Sequence, residues 1–222
     1  MFSFNILDTL IINDAKITYK SFHIIRTQET FKFLGEISSE NLIEIEKIYA
    51  NIELQYFEKL KTNECLRIVF LPDFPLKYTV EIHKIQNLSP IINLNSVSLK
   101  CPKALGSAFK WENRENWNLL LQEKKIKTDD ILVVNMQNDI VETSRFNIFL
   151  YDESKQIVIT PKLDSGCLNG VFRRFVLDEG IINLPQFGNI KVIEKNIQLT
   201  DINNYKLFVG NSVRGVLKAV LN

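Results

Sequence analysis

The sequence predicts a two-domain chain of mixed α and β structure, with a small α+β N-terminal domain and a larger β-barrel-like C-terminal domain. Three observations predict it. The first 88 residues run in the order β-β-α-α-β-β, in which the helices cover one face of a small sheet. A Pro90-containing stretch of low charge, 89–95, reads as a linker. Beyond it, from 96 to 222, short apolar β-branched runs recur between polar turns, the pattern of a barrel.

Element by element, Ile6 to Ile12 and Ile17 to Tyr19 flank the turn residues Asn13-Asp14-Ala15-Lys16 and read as a hairpin. Ser21 is the expected cap of a helix through Phe22, Ile25, Glu29 and Phe33, which Gly35 stops. After Ser39, Leu42, Ile45, Ile48, Tyr49, Ile52 and Tyr56 recur at spacings of three and four, one apolar helix face. Cys65 to Phe70 and Lys77 to Ile82 are strands around the Pro72 to Pro75 turn. In the second domain a strand from Val97 to Lys100 leads to Lys110, followed by a helix from Asn113 to about Lys124 that turns Trp117, Leu120 and Leu121 inward. Strands follow at Asp130–Asn135, Phe146–Tyr151 and Ile157–Thr160, then a helix from Gly170 to Glu179 ended by Gly180. The last strands, Lys191–Glu194, Lys206–Val209 and Val216–Leu221, frame a short helix capped by Thr200.

Composition narrows the function. Of 222 residues, 27 are Lys or Arg and 26 are Asp or Glu, and the two signs are interspersed, which argues against nucleic acid or an anionic membrane surface as partner. No apolar run approaches the ~18 residues of a membrane span, and the N-terminus lacks the features of a signal peptide. Three scattered cysteines, Cys65, Cys101 and Cys167, form neither a CxxC pair nor a disulfide ladder, so a cytoplasmic location is expected. With only two histidines, no histidine-rich metal site is expected.

Five places can carry chemistry. Lys110, at a strand exit with Arg114 nearby, is placed to be shifted toward the neutral amine, the form that adds to an aldehyde. Glu142 lies between two apolar strands: either it faces solvent at a strand end, or it is buried and needs a partner, for which a protonated ring nitrogen would serve. Gly170 opens a helix whose first amides, those of Val171 and Phe172, suit an anion. Asn211-Ser-Val-Arg-Gly215 makes a second glycine-bounded turn with Ser212 available, or a plain hairpin. His23-Ile-Ile-Arg26 puts Arg26 one turn from His23, as a phosphate clamp or a solvated cation.

In this order along the chain, these pieces resemble the fold-type-IV pyridoxal-phosphate enzymes, the class IV aminotransferases. The matching residues are Asp8-Thr9, the turn at 13–16, His23-x-x-Arg26, Lys110 with Arg114, Glu142 to Asn147-Ile-Phe149, Thr160-Pro161, Gly170 with Arg173, and Asn211-Ser-Val-Arg-Gly215. Asp8 stands where glutamate is usual, Val141 replaces a threonine, and the family's leading strand and Asp-Arg-Gly loop are missing. The last motif is most similar to that of 4-amino-4-deoxychorismate lyase, while Glu115 stands where the branched-chain enzymes carry a tyrosine.

The resemblance implies a D-amino-acid-aminotransferase-like fold, pyridoxal 5'-phosphate as cofactor, and a homodimer. It implies that Lys110 joins the cofactor covalently and then moves protons, and that Glu142 holds the pyridine nitrogen protonated. Arg26, the amides of Val171 and Phe172, and Ser212 would bind phosphate; Arg67 and Arg214 would bind a substrate carboxylate. The activity implied is release of 4-aminobenzoate and pyruvate, with transamination of D- or branched-chain amino acids as the alternative.

Overall fold

The computed structural model describes residues 5–35, 38–71, 75–99, 109–123 and 128–222. It divides into two compact units. The first comprises residues 1–87 with 110–113, and the second comprises 88–109 with 114–222.

The first unit is a three-stranded antiparallel sheet in the order β1 (Ile6–Leu10), β4 (Glu64–Leu71), β5 (Lys77–Lys84), with helices α1 (Lys20–Phe33) and α2 (Ser39–Tyr56). Strand alternation puts Ile6, Asp8 and Leu10 on one face together with Leu66, Ile68 and Phe70 of β4. The apolar members of that row form one core with Phe31 of α1 and Ile45, Ile48, Tyr49 and Ile52 of α2. The spacing of three and four along α2 therefore marks the buried face, as the sequence predicts. The expected hairpin is present in reduced form. Strands β2 (Ile12–Asn13) and β3 (Lys16–Ile17) pair with each other, while Ile6–Leu10 pairs instead with the distant β4.

The helix starts depart from expectation by one or two residues. Tyr19, in the left-handed region at φ 59°, precedes α1, so Ser21 falls inside the helix and caps nothing. Ser38 rather than Ser39 caps α2, its hydroxyl accepting from the amide of Asn41. Gly35, at φ 79°, follows α1 as expected. The Pro72–Pro75 turn lies mostly outside the described residues.

The second unit is built on nine strands in the order β11-β12-β10-β9-β13-β14-β6-β7-β8, where β8 also pairs with β9. That extra pairing closes six strands, β9, β13, β14, β6, β7 and β8, into a barrel, and β10, β12 and β11 continue the sheet from β9. The barrel strands are β6 (Ile91–Ser98), β7 (Asp130–Val134), β8 (Ile140–Thr143), β9 (Asn147–Asp152), β13 (Lys206–Asn211) and β14 (Gly215–Leu221). The extension is β10 (Ile157–Thr160), β11 (Ile181–Leu184) and β12 (Gly188–Glu194). Ile92, Leu94, Leu132, Ile140, Ile148, Leu150, Leu207 and Val209 fill one core. Helix α3 (Glu115–Glu123) packs Trp117, with Leu120 and Leu121, against Val97, Ile131, Val133 and Val141. Helix α4 (Val171–Glu179) lies against β13 and the β11–β12 pair and ends at Gly180, φ 70°.

Residues 91–95, expected as linker, are the first half of β6, paired in parallel with β14 and then with β7. The short helix expected under a Thr200 cap is a 3-10 helix, Leu199–Asn204, entered from Gln198 without a side-chain cap. Strands β8 and β11 have no counterpart in the sequence reading. Among the described residues, Cys65 and Cys167 are free and buried, and no helix is long and apolar enough to cross a membrane.

Candidate active site

Lys110 belongs to the first unit, where it lies by the edge of β1; the residues that lead into it, 100–108, lie outside the described residues. The amide of Leu7 donates to the carbonyl of Lys110 (2.8 Å), Ile6 bridges to Trp111, and the amide of Glu112 donates to the carbonyl of Asn5 (2.9 Å). Residues 110–112 thus meet β1 through one isolated antiparallel bridge. From it Lys110 Nζ donates to Thr9 Oγ1 at 3.0 Å. Thr9 stands directly opposite Arg67 in the β1–β4 register, and Arg67 opposite Glu81 in the β4–β5 register. Directly opposed residues share a face, so Thr9 and Arg67 line the face of the sheet turned away from the helices. Arg67 Nη2 reaches Glu112 Oε1 at 3.5 Å, a long contact, and the arginine remains about a third exposed.

The other face of the same strand carries a buried polar cluster that the sequence does not announce. Asp8 is completely buried between Ile6 and Leu10. Its carboxylate accepts from His23 Nδ1 (2.8 and 2.9 Å), from Tyr49 Oη (2.5 Å), from the amide of Thr9 (2.7 Å) and from Arg26 Nη2. Burial alone would raise the pKa of Asp8, but His23, Arg26 and these bonds hold it well below the usual carboxylate range. His23 moves the other way. Burial outweighs the attraction of Asp8 and keeps its imidazole below its ordinary pKa, hence neutral at pH 7. Arg26, expected as a phosphate clamp, is thus a mostly buried cation paired with Asp8.

In the second unit, Glu142 is on β8, in a run Ile140–Thr143 that is buried at every position. The buried alternative of the sequence reading therefore holds. Its Oε2 accepts from the amide of Leu168 (3.0 Å). Burial pushes its pKa up to about 8, against the lowering effect of that amide and of Arg114 and Arg173. A protonated ring nitrogen is the kind of cation that would restore the ionised form.

Asn147, which pairs with Glu142 across β8–β9 and with Gly210 across β9–β13, donates to the carbonyl of Leu168 (2.8 Å). It ties the loop before α4 to the barrel. A Cβ on Gly170 would lie 2.1 Å from Asn147 Oδ1, so any larger residue there forces Asn147 to move. Helix α4 starts directly after it, its first intrahelical bond running from the amide of Arg174 to the carbonyl of Gly170 (2.9 Å). The first-turn amides, including those of Val171 and Phe172, precede that ladder at the positive end of the helix dipole.

The ring of Phe172 comes within 3.0 Å of where a Cβ on Gly210 would be, which brings the helix start beside the end of β13. There Asn211 Oδ1 accepts from the amides of Val213 (3.1 Å) and Arg214 (2.9 Å), and Gly215 adopts φ 65°. These contacts shape the turn that presents Ser212 and Arg214. Arg114 bonds to the carbonyl of Ser144 and lies over Trp117, and Arg173, 1% exposed, is held by Asn169, Pro161 and Glu194.

The second unit therefore brings Glu142, Val171, Phe172, Ser212 and Arg214 onto three adjoining elements. The first unit brings Lys110 to Thr9 beside Arg67 and sets Arg26 against Asp8. Thr9, Tyr49 and Asn147 escaped sequence reasoning as functional candidates. Thr9 and Asn147 left a signal, their places in the Asp8-Thr9 pair and in the Glu142 to Phe149 motif, whereas Tyr49 left none. Taken unit by unit, the residue types suit pyridoxal phosphate: an amine in the first unit, and in the second a carboxylate raised by burial and a glycine-started helix for an anion.

The family described as amino-transferase class IV matches residues 77–220. No curated protein matches the chain. Among solved structures, a putative amino-acid aminotransferase from Mesorhizobium loti superposes with TM-score 0.76 at 20% identity, covering 98% of this chain and 99% of that one. A putative 4-amino-4-deoxychorismate lyase from Legionella pneumophila gives 0.78 at 16% identity, covering 99% and 83%. The pyridoxal-phosphate-bound form of a hypothetical aminotransferase from Mycobacterium tuberculosis gives 0.79 at 10%, covering 98% and 81%. At such identities the likeness carries the fold alone. The family match spans more than half the chain, and with it the chain belongs to the class IV aminotransferases, enzymes that depend on pyridoxal phosphate.

Proposed function

We propose that this chain is a pyridoxal-phosphate-dependent 4-amino-4-deoxychorismate lyase that forms 4-aminobenzoate and pyruvate, a step toward folate, and that it works as a cytoplasmic homodimer. The observation that carries the lyase reading is the turn Asn211–Gly215, whose sequence resembles the lyase branch and whose side-chain-to-amide bonds fix its shape.

When bound, pyridoxal phosphate supplies an electron sink for the carbanion that forms at the amine-bearing carbon. Lys110 Nζ would hold the cofactor through its aldehyde and would be the base that takes the proton from the amine-bearing carbon of the substrate. Thr9 Oγ1 accepts a hydrogen bond from that nitrogen and orients it. Glu142 would serve as the carboxylate partner of the ring nitrogen, and the pair would favour an ionised carboxylate and a protonated ring. Arg26, the amides of Val171 and Phe172, and Ser212 hold the phosphate. Arg67 and Arg214 take substrate carboxylates, the first on the sheet face that also carries Thr9. The neighbouring ring C–O bond then breaks, its electrons leave with the enolpyruvyl oxygen, which takes up a proton to become pyruvate, and the ring is left aromatic.

Transamination would ask the same proton removal of Lys110 and differ in what leaves, a 2-oxo acid in place of pyruvate and 4-aminobenzoate. The description of the family and the Mesorhizobium loti structure favour it as the second reading. The two are separated by incubating the loaded protein with aminodeoxychorismate. The lyase releases 4-aminobenzoate, and Lys110→Ala releases none. A protein that carries the cofactor, yields no 4-aminobenzoate and converts D- or branched-chain amino acids to oxo acids would be the aminotransferase.

A further inference from the structure

We propose that Tyr49 is a positioning residue for cofactor phosphate binding: it anchors Asp8, and Asp8 aims the guanidinium of Arg26. The inference deepens the proposed function and rests on its assignment of Arg26 to the phosphate.

The chain of contacts runs through the first unit alone. Thr27 Oγ1 and Tyr49 Oη are 2.8 Å apart, Tyr49 Oη donates to Asp8 Oδ2 (2.5 Å), and Asp8 Oδ1 receives Arg26 Nη2. Arg26 from α1 and Tyr49 from α2 both meet one carboxylate on β1, and Thr27 of α1 reaches it only through the hydroxyl of Tyr49. Among the described residues, the bond to Asp8 is the one hydrogen bond of the Arg26 guanidinium, and its side chain keeps 9% of its surface accessible. A guanidinium gripped at one nitrogen still has its other donors for a phosphate, in a direction set by the grip.

Asp8 is itself over-determined. Four groups donate to it, so it cannot turn with the arginine. The pairing also cancels the charge of Arg26 locally, which leaves geometry rather than net charge as what Arg26 gives to a phosphate. Tyr49 is the member that can be probed without altering any charge. Its ring packs in the core beside Phe70, at 6.1 Å between centroids, and phenylalanine would keep that packing. The bond it makes is to an ionised group, the kind with the larger effect when removed.

The test is a titration of the cofactor-free protein with pyridoxal phosphate and, separately, with pyridoxal, which lacks the phosphate, using wild type, Tyr49→Phe, Thr27→Val and Arg26→Ala. The proposal expects Tyr49→Phe to weaken pyridoxal phosphate about fivefold and Arg26→Ala by more than tenfold. Thr27→Val should fall between wild type and Tyr49→Phe. Pyridoxal affinity should stay within about twofold throughout. Parallel losses for both compounds in Tyr49→Phe would mark a merely structural role and overturn the proposal, as would no loss for either. A wild-type protein that takes up neither compound would overturn the proposed function and this inference together.

Discussion

At the scale of single residues, Lys110 and Glu142, to which the proposed chemistry is assigned, are held in opposite ways. Lys110 is reached through the backbone, by two bonds between residues 5–7 and 110–112, so its position follows from a backbone bridge to β1. Glu142 is reached through burial. Its pKa, raised from 4.5 to about 8, carries a cost that can be measured. Below about pH 4.5 the carboxyl is protonated in both folded and unfolded chains and costs nothing. As the pH rises from there to about 8 the unfolded chain ionises while the folded one keeps its proton, so stability falls over that window. Glu142→Gln cannot titrate. In the cofactor-free protein it should gain stability over wild type with rising pH, by on the order of 4 kcal/mol near pH 8, and match it in acid. Thermal melts at the two pH values check this. Loading with pyridoxal phosphate should shrink the difference, because the wild-type carboxylate then has its cation.

Most of these residues were legible in the sequence as types and spacings. Their partners were not. The sequence puts Asp8 two residues from both Ile6 and Leu10, which predicts a shared face but not that His23, Arg26 and Tyr49 converge there. Tyr49 reads as one more apolar residue in the α2 stripe, since a phenol ring packs like phenylalanine and hides its hydroxyl. Arg114 reads as a neighbour of Lys110 because four positions separate them, yet its described partners are Ser144 and Trp117 in the second unit.

At the scale of elements, the start of α4 carries the sharpest steric constraint. Gly170 faces Asn147, and Asn147 links β8, β9 and the loop at Leu168. Gly170→Ala should push Asn147 aside, break its bond to Leu168 and destabilise the protein by about 1–3 kcal/mol. It should weaken pyridoxal phosphate binding more than pyridoxal binding, because the displaced loop leads into the helix start. Urea unfolding and the two titrations measure both effects.

The helices were predicted to within a few residues because their periodicity is local. The errors lie at starts, where the backbone of Tyr19 decides and several nearby serines could each serve as caps. The missed strands are four residues long. Ile140–Thr143 is too short to show alternation, and Ile181–Leu184 follows a helix directly. Ile91–Asn95 reads as a linker for a related reason. Its partners, Lys218–Leu221 and Asp130–Ile131, are remote in sequence, and parallel pairing leaves no turn between strands to give it away.

For the whole molecule, the split into an α+β unit and a barrel was legible, whereas the return of residues 110–113 to the first unit was not. That return gives the amine of Lys110 to the unit that also holds Asp8, Arg26 and Arg67. The homodimer proposed for the working enzyme makes a separate prediction: in sedimentation velocity the loaded protein should run as a particle of two chains, and a single-chain mass would refute that assignment.

The central claim is that Lys110 is the amine that holds pyridoxal phosphate. It is tested most directly by incubating the protein with the cofactor, reducing with borohydride and mapping the modified peptide by mass spectrometry. The account predicts one pyridoxyl group, on Lys110, and none in Lys110→Ala. A protein that gains no pyridoxyl group, or gains it on another lysine with Lys110 unmodified, would contradict it.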